Sequence, residues 1–169
     1  MSAPPGVAIS LPGAGTCAGS LQILNPGDVA VGQRGDRLET LLGSCVAIVL
    51  TDPRRTIGAM CHIVHGRPAP PGHGHDSAFA DVALERMCAL LRAQGITPAL
   101  CEAFVYGGGN MFPAVFRHKH VGDDNAAWAL RALAADGIRV KVRDTGGDVY
   151  RRIGWTIGPS MPDCVAVAV

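Results

Sequence analysis

A chain of 169 residues, 48% apolar and with a formal net charge of +1, is long enough to bury one sizeable core and too apolar to be disordered. It has neither a basic patch nor an acidic run, so neither nucleic acid nor an anionic membrane surface has an electrostatic claim as partner. The first basic residue is Arg34, and the longest apolar runs, Cys45–Leu50 and Cys164–Val169, are far too short to span a bilayer; the expectation is a soluble, cytoplasmic protein with no direct membrane insertion.

Residues 1–20 are rich in Gly, Ala, Pro and Ser without periodicity and read as a flexible N-terminal tail, leaving 21–169 as a single domain. After Pro26-Gly27, the segment Asp28–Gln33 alternates and predicts a short strand. Ser44–Thr51 is apolar and partly β-branched, the pattern of a buried strand. Asp52-Pro53-Arg54-Arg55 is a turn, and Thr56–His65 is the return strand. Gly66–His75, with three prolines and three glycines, is a loop. Asp76 or Ser77 caps a helix that ends before Gly95, with apolar residues at helical spacing from Phe79 to Leu91. Ala99–Tyr106 is a strand running into Gly107-Gly108-Gly109-Asn110. A second helix, capped by Asp123 or Asp124, runs through Ala135 and closes at Gly137. Ile138–Arg143, Val149–Ile157 and Cys164–Val169 supply the last strands. The class is α+β.

The six cysteines, Cys17, Cys45, Cys61, Cys88, Cys101 and Cys164, form no C-x-x-C pair. Reduced thiols are expected, most of them acting as small apolar core residues. Cys45 differs because of what the hairpin brings near it. With a four-residue loop Asp52–Arg55, Cys45 lies directly opposite His62, and directly opposed residues share a face with Cβ atoms about 4.5–5.5 Å apart. A two-residue loop keeps that pairing, whereas an odd loop length puts the two side chains on opposite faces. The Cys45 face also carries Ala47, Val49, Gly58 and Met60; the other carries Val46, Ile48, Leu50, Ile57, Ala59 and Cys61. Both faces are apolar, so both are covered, as in a layered sandwich.

A thiol beside an imidazole suits nucleophilic catalysis. An imidazolium stabilises the thiolate and lowers its pKa, and it can later protonate a leaving amine. Gly43-Ser44 suits a tight bend whose N–H groups hold a developing oxyanion. The backbone at Gly108 and the carboxamide of Asn110 are further candidates for substrate contact. The competing structural roles are core filler for Cys45, a satisfied core histidine for His62, and a turn residue for Asn110.

Thr40-Leu41-Leu42-Gly43-Ser44-Cys45-Val46-Ala47, Asp52-Pro53 and Ile57-Gly58-Ala59-Met60 ending at His62 resemble the signature of the chemoreceptor glutamine deamidase family, CheD. The likeness continues through Ala80–Leu84, Glu102-Ala103, Gly107–Phe112, Asn125 and Asp144–Gly147. It implies hydrolysis of particular glutamine side-chain amides on chemoreceptor cytoplasmic helices, and of glutamyl methyl esters. It further implies a Cys-His-Thr triad, here Cys45, His62 and Thr40, with no cofactor. The implied fold is a β-sandwich with flanking helices related to bacterial toxin deamidases, and a CheC-type phosphatase is an implied partner in some species. This sequence departs from the family pattern in the loop Gly66–His75 and in the stretch Pro159–Val169.

Three other functions compete. Cys61, His62, His65, His73 and His75 are dense enough to suggest zinc, but Cys61 and His62 are adjacent on a strand and point to opposite faces. Gly107-Gly108-Gly109 follows a strand but lacks the order of a phosphate-binding loop. A non-catalytic adaptor binding receptor or phosphatase would keep the same fold.

Overall fold

The apolar run ahead of Asp52-Pro53 forms strand β4 (Val46–Thr51), and all six of its residues are buried. A strand apolar on both sides must be covered on both sides, and the layers around β4 supply that cover. The computed structural model describes residues 19–169. The expected tail therefore lies outside the described residues as far as residue 18, while Ser20 is tied to Asp36 Oδ1 by its N–H (2.8 Å) and its hydroxyl (3.0 Å).

β4 stands at the centre of a five-stranded sheet in the order β2-β5-β4-β6-β7. Its partners are β2 (Val29–Gln33), β5 (Ile57–Ile63), β6 (Glu102–Gly107) and β7 (Arg139–Thr145). A second sheet holds four strands in the order β1-β3-β8-β9. These are β1 (Leu21–Leu24), β3 (Arg37–Leu42), β8 (Val149–Thr156) and β9 (Asp163–Ala168). Helices α1 (Ala80–Ala93) and α2 (Val121–Ala135) cover one face of the larger sheet.

Two apolar clusters follow from this. Val46, Ile48, Leu50, Ala59, Cys61 and Ile63 meet Ala83, Met87 and Leu91 of α1 and Ala129 and Leu133 of α2. Ala47, Val49, Met60, Phe104 and Tyr106 meet Leu38, Leu42, Ile153 and Trp155 of the smaller sheet. The result is an α+β fold of three layers, helices on sheet on sheet. The division of the hairpin into two apolar faces is the one its alternation predicts.

The register is not. Ala47, rather than Cys45, lies opposite His62, because the last pair of the hairpin is Thr51 with Gly58. The loop is two residues longer than the predicted turn, for a visible reason. The Asp52 carboxylate accepts from Thr56 N (2.8 Å), Ile57 N (3.0 Å) and Thr56 Oγ1 (2.9 Å), holding Thr56 out of the ladder. Arg55 takes the left-handed conformation, φ 52°, to turn the chain.

The predicted helix caps are also corrected. Helix α1 begins after Phe79, which makes no side-chain cap; Asp76 instead closes a turn before it, accepting from Ala78 N at 2.9 Å. Helix α2 begins after His120, and Asp123 acts from the third helical position, accepting from His120 N at 3.3 Å. Strands β1 and β3 were not expected: their alternation is short and carries Arg37 and Glu39 on the outward side.

Candidate active site

The smaller sheet presents Leu38, Thr40 and Leu42 inward from β3, so Thr40 faces β5 across the interior. Its hydroxyl lies 2.9 Å from Leu24 O and 2.8 Å from His62 Nδ1. A carbonyl only accepts and a hydroxyl has one proton, so Thr40 donates to Leu24 O and accepts from His62 Nδ1–H. That fixes the tautomer and leaves the lone pair on Nε2. His62 is only 3% exposed, and its Nε2 has no hydrogen-bond partner among the described residues. Burial pushes the imidazole pKa down, partly opposed by the Leu24 carbonyl and the Asp28 carboxylate. The ring is therefore neutral near pH 7, with its Nε2 lone pair free.

Cys45 sits just ahead of β4, half-buried, against the cluster between the two sheets. Alternation through Ala47 puts it on the His62 face. The two-residue slip in register makes the pair diagonal rather than directly opposed, and no hydrogen bond joins Sγ to the ring. Burial raises the Cys45 thiol pKa. Burial thus favours the neutral thiol and the neutral imidazole over the ion pair that an imidazolium beside the sulfur would form. Among the other described cysteines, Cys61, Cys88 and Cys101 are buried, with Cys61 pushed up to about 12 by burial, and half-buried Cys164 is pushed up to about 11 by burial and by its bond to Asp144.

The loop carrying Cys45 is held from behind. Gly43 O accepts from Gly109 N (2.9 Å), Ser44 O from Asn125 Nδ2 (2.9 Å), and Cys45 O from Gly108 N (2.8 Å). The N–H groups of Ser44 and Cys45 donate to no protein acceptor among the described residues. Gly107 lies directly behind the Cys45 carbonyl with φ 112°, a conformation and a clearance that only glycine satisfies. Arg151 of β8, 4% exposed, secures the same segment by donating to Gly107 O (3.3 Å), Gly146 O (2.8 Å) and Asp144 Oδ1 (3.0 Å).

Not every candidate residue reaches the thiol in the same way. Gly43 and Ser44 form the bend before Cys45, and Gly108 supports that bend through its N–H. Asn110 has both ends of its side chain engaged in its own loop, donating to Phe116 O (2.6 Å) and accepting from Phe112 N (3.1 Å). It nonetheless lines a cavity of about 500 Å³ together with Ser44, Met111, Phe112, Phe116 and His120. Cys61 faces the helices and His62 the opposite sheet. Among the described residues, no three or more His, Cys, Asp or Glu side chains gather as a metal site would require.

A family model described as CheD chemotactic sensory transduction matches residues 68–158 of this chain. A probable chemoreceptor glutamine deamidase CheD 3 from Dechloromonas aromatica (strain RCB) is 35% identical over 136 residues, 79% of this chain and 80% of that protein. The chain belongs to the CheD family. A further CheD relative, a probable chemoreceptor glutamine deamidase from Pseudomonas syringae pv. syringae (strain B728a), is 36% identical over 135 residues, 78% of this chain and 76% of that protein. Among solved structures, the hypothetical protein YfiH of Bacillus licheniformis covers 69% of this chain and 50% of its own at TM-score 0.41 and 14% identity. The CheD family match begins after His62, so it does not itself include Thr40, Cys45 or His62.

Asn125 is the polar residue whose role the sequence reading did not assign. The signal was present: an asparagine in the first turns of α2, in line with the apolar positions Ala129 and Leu133. A polar side chain on the buried face of a helix is there for its hydrogen bonds.

Proposed function

We propose that this chain is a chemoreceptor glutamine deamidase that uses Cys45 as nucleophile and His62 as base. The observation that carries the reading is the state of His62: Nδ1 held by Thr40, Nε2 buried, unpartnered and on the same sheet face as Cys45. A buried nitrogen lone pair left unpaired costs about 1–3 kcal/mol in a merely structural histidine. It is the arrangement a base needs.

Cys45 Sγ attacks the carboxamide carbon of a receptor glutamine as its proton passes to His62 Nε2. The N–H groups of Ser44 and Cys45 hold the carbonyl oxygen as it gains charge. Collapse of the tetrahedral intermediate breaks the C–N bond, and His62 returns the proton so that ammonia leaves. Water then attacks the thioester, giving up a proton to Nε2; the thiol is regenerated and the product is glutamate. A glutamyl methyl ester follows the same course with methanol leaving. Because the resting pair is neutral, proton transfer accompanies attack. The substrate-bearing partner is the receptor's cytoplasmic helix, and a CheC-type phosphatase is the second partner the resemblance implies.

Incubation of a receptor cytoplasmic fragment with wild type and with Cys45→Ala, read by mass spectrometry, tests the assignment. Wild type adds about 1 Da per glutamine converted, the mass difference between –NH₂ and –OH, and Cys45→Ala adds none. Equal conversion by both proteins removes Cys45 from the mechanism.

A further inference from the structure

Each trans peptide points its C=O and N–H in opposite directions. Fixing one fixes the other. The peptide Gly43–Ser44 has its carbonyl bound by Gly109 N, and the peptide Ser44–Cys45 has its carbonyl bound by Asn125 Nδ2. The N–H groups of these same two peptides, Ser44 and Cys45, are the ones without a protein acceptor among the described residues. Ser44 borders the 500 Å³ cavity, whose lining includes neither Cys45 nor His62.

Asn125 is only 2% exposed and uses its whole carboxamide. Nδ2 donates to Ser44 O (2.9 Å) and to Val64 O (3.2 Å), and Oδ1 accepts from Gly66 N (2.6 Å). Val64 and Gly66 lie within three residues of the end of β5, the strand that carries His62. One side chain of α2 therefore ties the bend before the nucleophile to the end of the base's strand. Gly66 has room for this only without a side chain, since a Cβ there would lie 2.5 Å from Asn125 Cα.

We infer that Asn125 is a positioning residue for the oxyanion site: by holding the Ser44 carbonyl it turns the Cys45 N–H toward the reacting carbonyl oxygen. This rests on the deamidase reading above. Unlike Thr40, which aligns the base, Asn125 acts on the transition-state charge. Its loss should lower turnover without changing substrate affinity or the intrinsic reactivity of the thiol.

Asn125→Asp and Asn125→Leu separate these effects. Asp keeps an acceptor for Gly66 N, and only while protonated can it donate to Ser44 O; Leu does neither. Ammonia release from a receptor fragment is measured against pH, alongside alkylation of Cys45 by iodoacetamide, a displacement that forms no oxyanion. For Asn125→Leu, kcat should fall roughly 10²–10³-fold, the range for losing one oxyanion donor, with KM and alkylation rate held within about threefold. For Asn125→Asp the deficit should grow with pH as the carboxyl loses its proton. A kcat within about threefold of wild type, or alkylation falling in step with kcat, overturns the inference. If Asn125→Leu does not fold, the pH dependence of Asn125→Asp decides alone. Wild type lacking Cys45-dependent ammonia release sinks the deamidase reading itself; an active wild type with unimpaired Asn125 variants sinks only this inference.

Discussion

Replacing Thr40 with valine removes one hydroxyl from the interior while keeping the side chain's shape. Thr40 is 3% exposed, and its oxygen makes two bonds, 2.8 Å to His62 Nδ1 and 2.9 Å to Leu24 O. Without it, His62 Nδ1–H loses its hydroxyl acceptor inside the protein, a loss of about 1–3 kcal/mol. Leu24 O is penalised less, because a carbonyl tolerates partial satisfaction. The expected destabilisation is about 2–4 kcal/mol, or a drop in Tm of about 4–16 °C for a domain of this size. Turnover should fall by more than stability explains, about 10–10²-fold at a temperature where the variant is fully folded. The ring then loses the bond that selects its tautomer, though it keeps its proton-transfer function, itself worth about 10²–10⁴-fold. Thr40→Ser retains the oxygen and should keep kcat within about threefold while losing about 1 kcal/mol for the methyl group. Paired thermal melts and ammonia-release assays on the three proteins check this. A Thr40→Val protein with the predicted Tm loss but wild-type kcat would reduce Thr40 to packing and leave the alignment of His62 without a cause.

The lowered His62 pKa has a definite sign. The unfolded imidazole, near 6.5, binds protons in a range where the folded one does not, so stability rises with pH up to about 6.5 and declines below it. Asp36 and Asp52 act in a separate window: their folded pKa values are lowered, so their contribution is present above 3.8 and lost below it. Urea titrations between about pH 5 and 6.5 should show a positive slope that His62→Gln flattens; an unchanged slope refutes burial of a neutral ring. Alkylation of Cys45 in wild type should rise with an apparent pKa above the ordinary 9.0, and a value below about 8 would restore the ion-pair picture. Gly107→Ala forces a side chain to φ 112° and against the Cys45 carbonyl. It should destabilise by more than Gly72→Ala, where φ is 87° with nothing nearby and backbone strain of about 1–3 kcal/mol acts alone. Equal losses in urea denaturation would show that the nucleophile bend is not packed on Gly107.

The central hairpin was legible because β4 and β5 alternate cleanly between two apolar sets, and the layered α+β architecture follows from that pattern. Helix existence was equally legible from the spacing of Phe79, Ala83, Met87 and Leu91. The caps were not, because Asp76 and Asp123 serve turns and first-turn bonds as readily as cap positions. β3 was the costly omission. Its Arg-Leu-Glu-Thr-Leu-Leu run buries only alternate residues and reads weakly on its own, yet it carries Thr40. The threonine was therefore reached through resemblance and not through pattern. Asn125 stayed without a role because its partners, Ser44 O, Val64 O and Gly66 N, are backbone groups with no sequence signature.

The error in register is instructive because it was even. A slip of two residues preserves the face on which every side chain lies, so the meeting of Cys45 and His62 in one layer survives it. What it changes is distance, from a directly opposed pair to a diagonal one. A directly opposed thiol and imidazole could exchange a proton at rest; in the diagonal pair burial favours the neutral form of each. The Asp52 carboxylate, by keeping Thr56 out of the ladder, sets that spacing from the far end of the hairpin. The two-residue offset between Cys45 and His62 is thus fixed by a loop at the opposite end of β4 and β5.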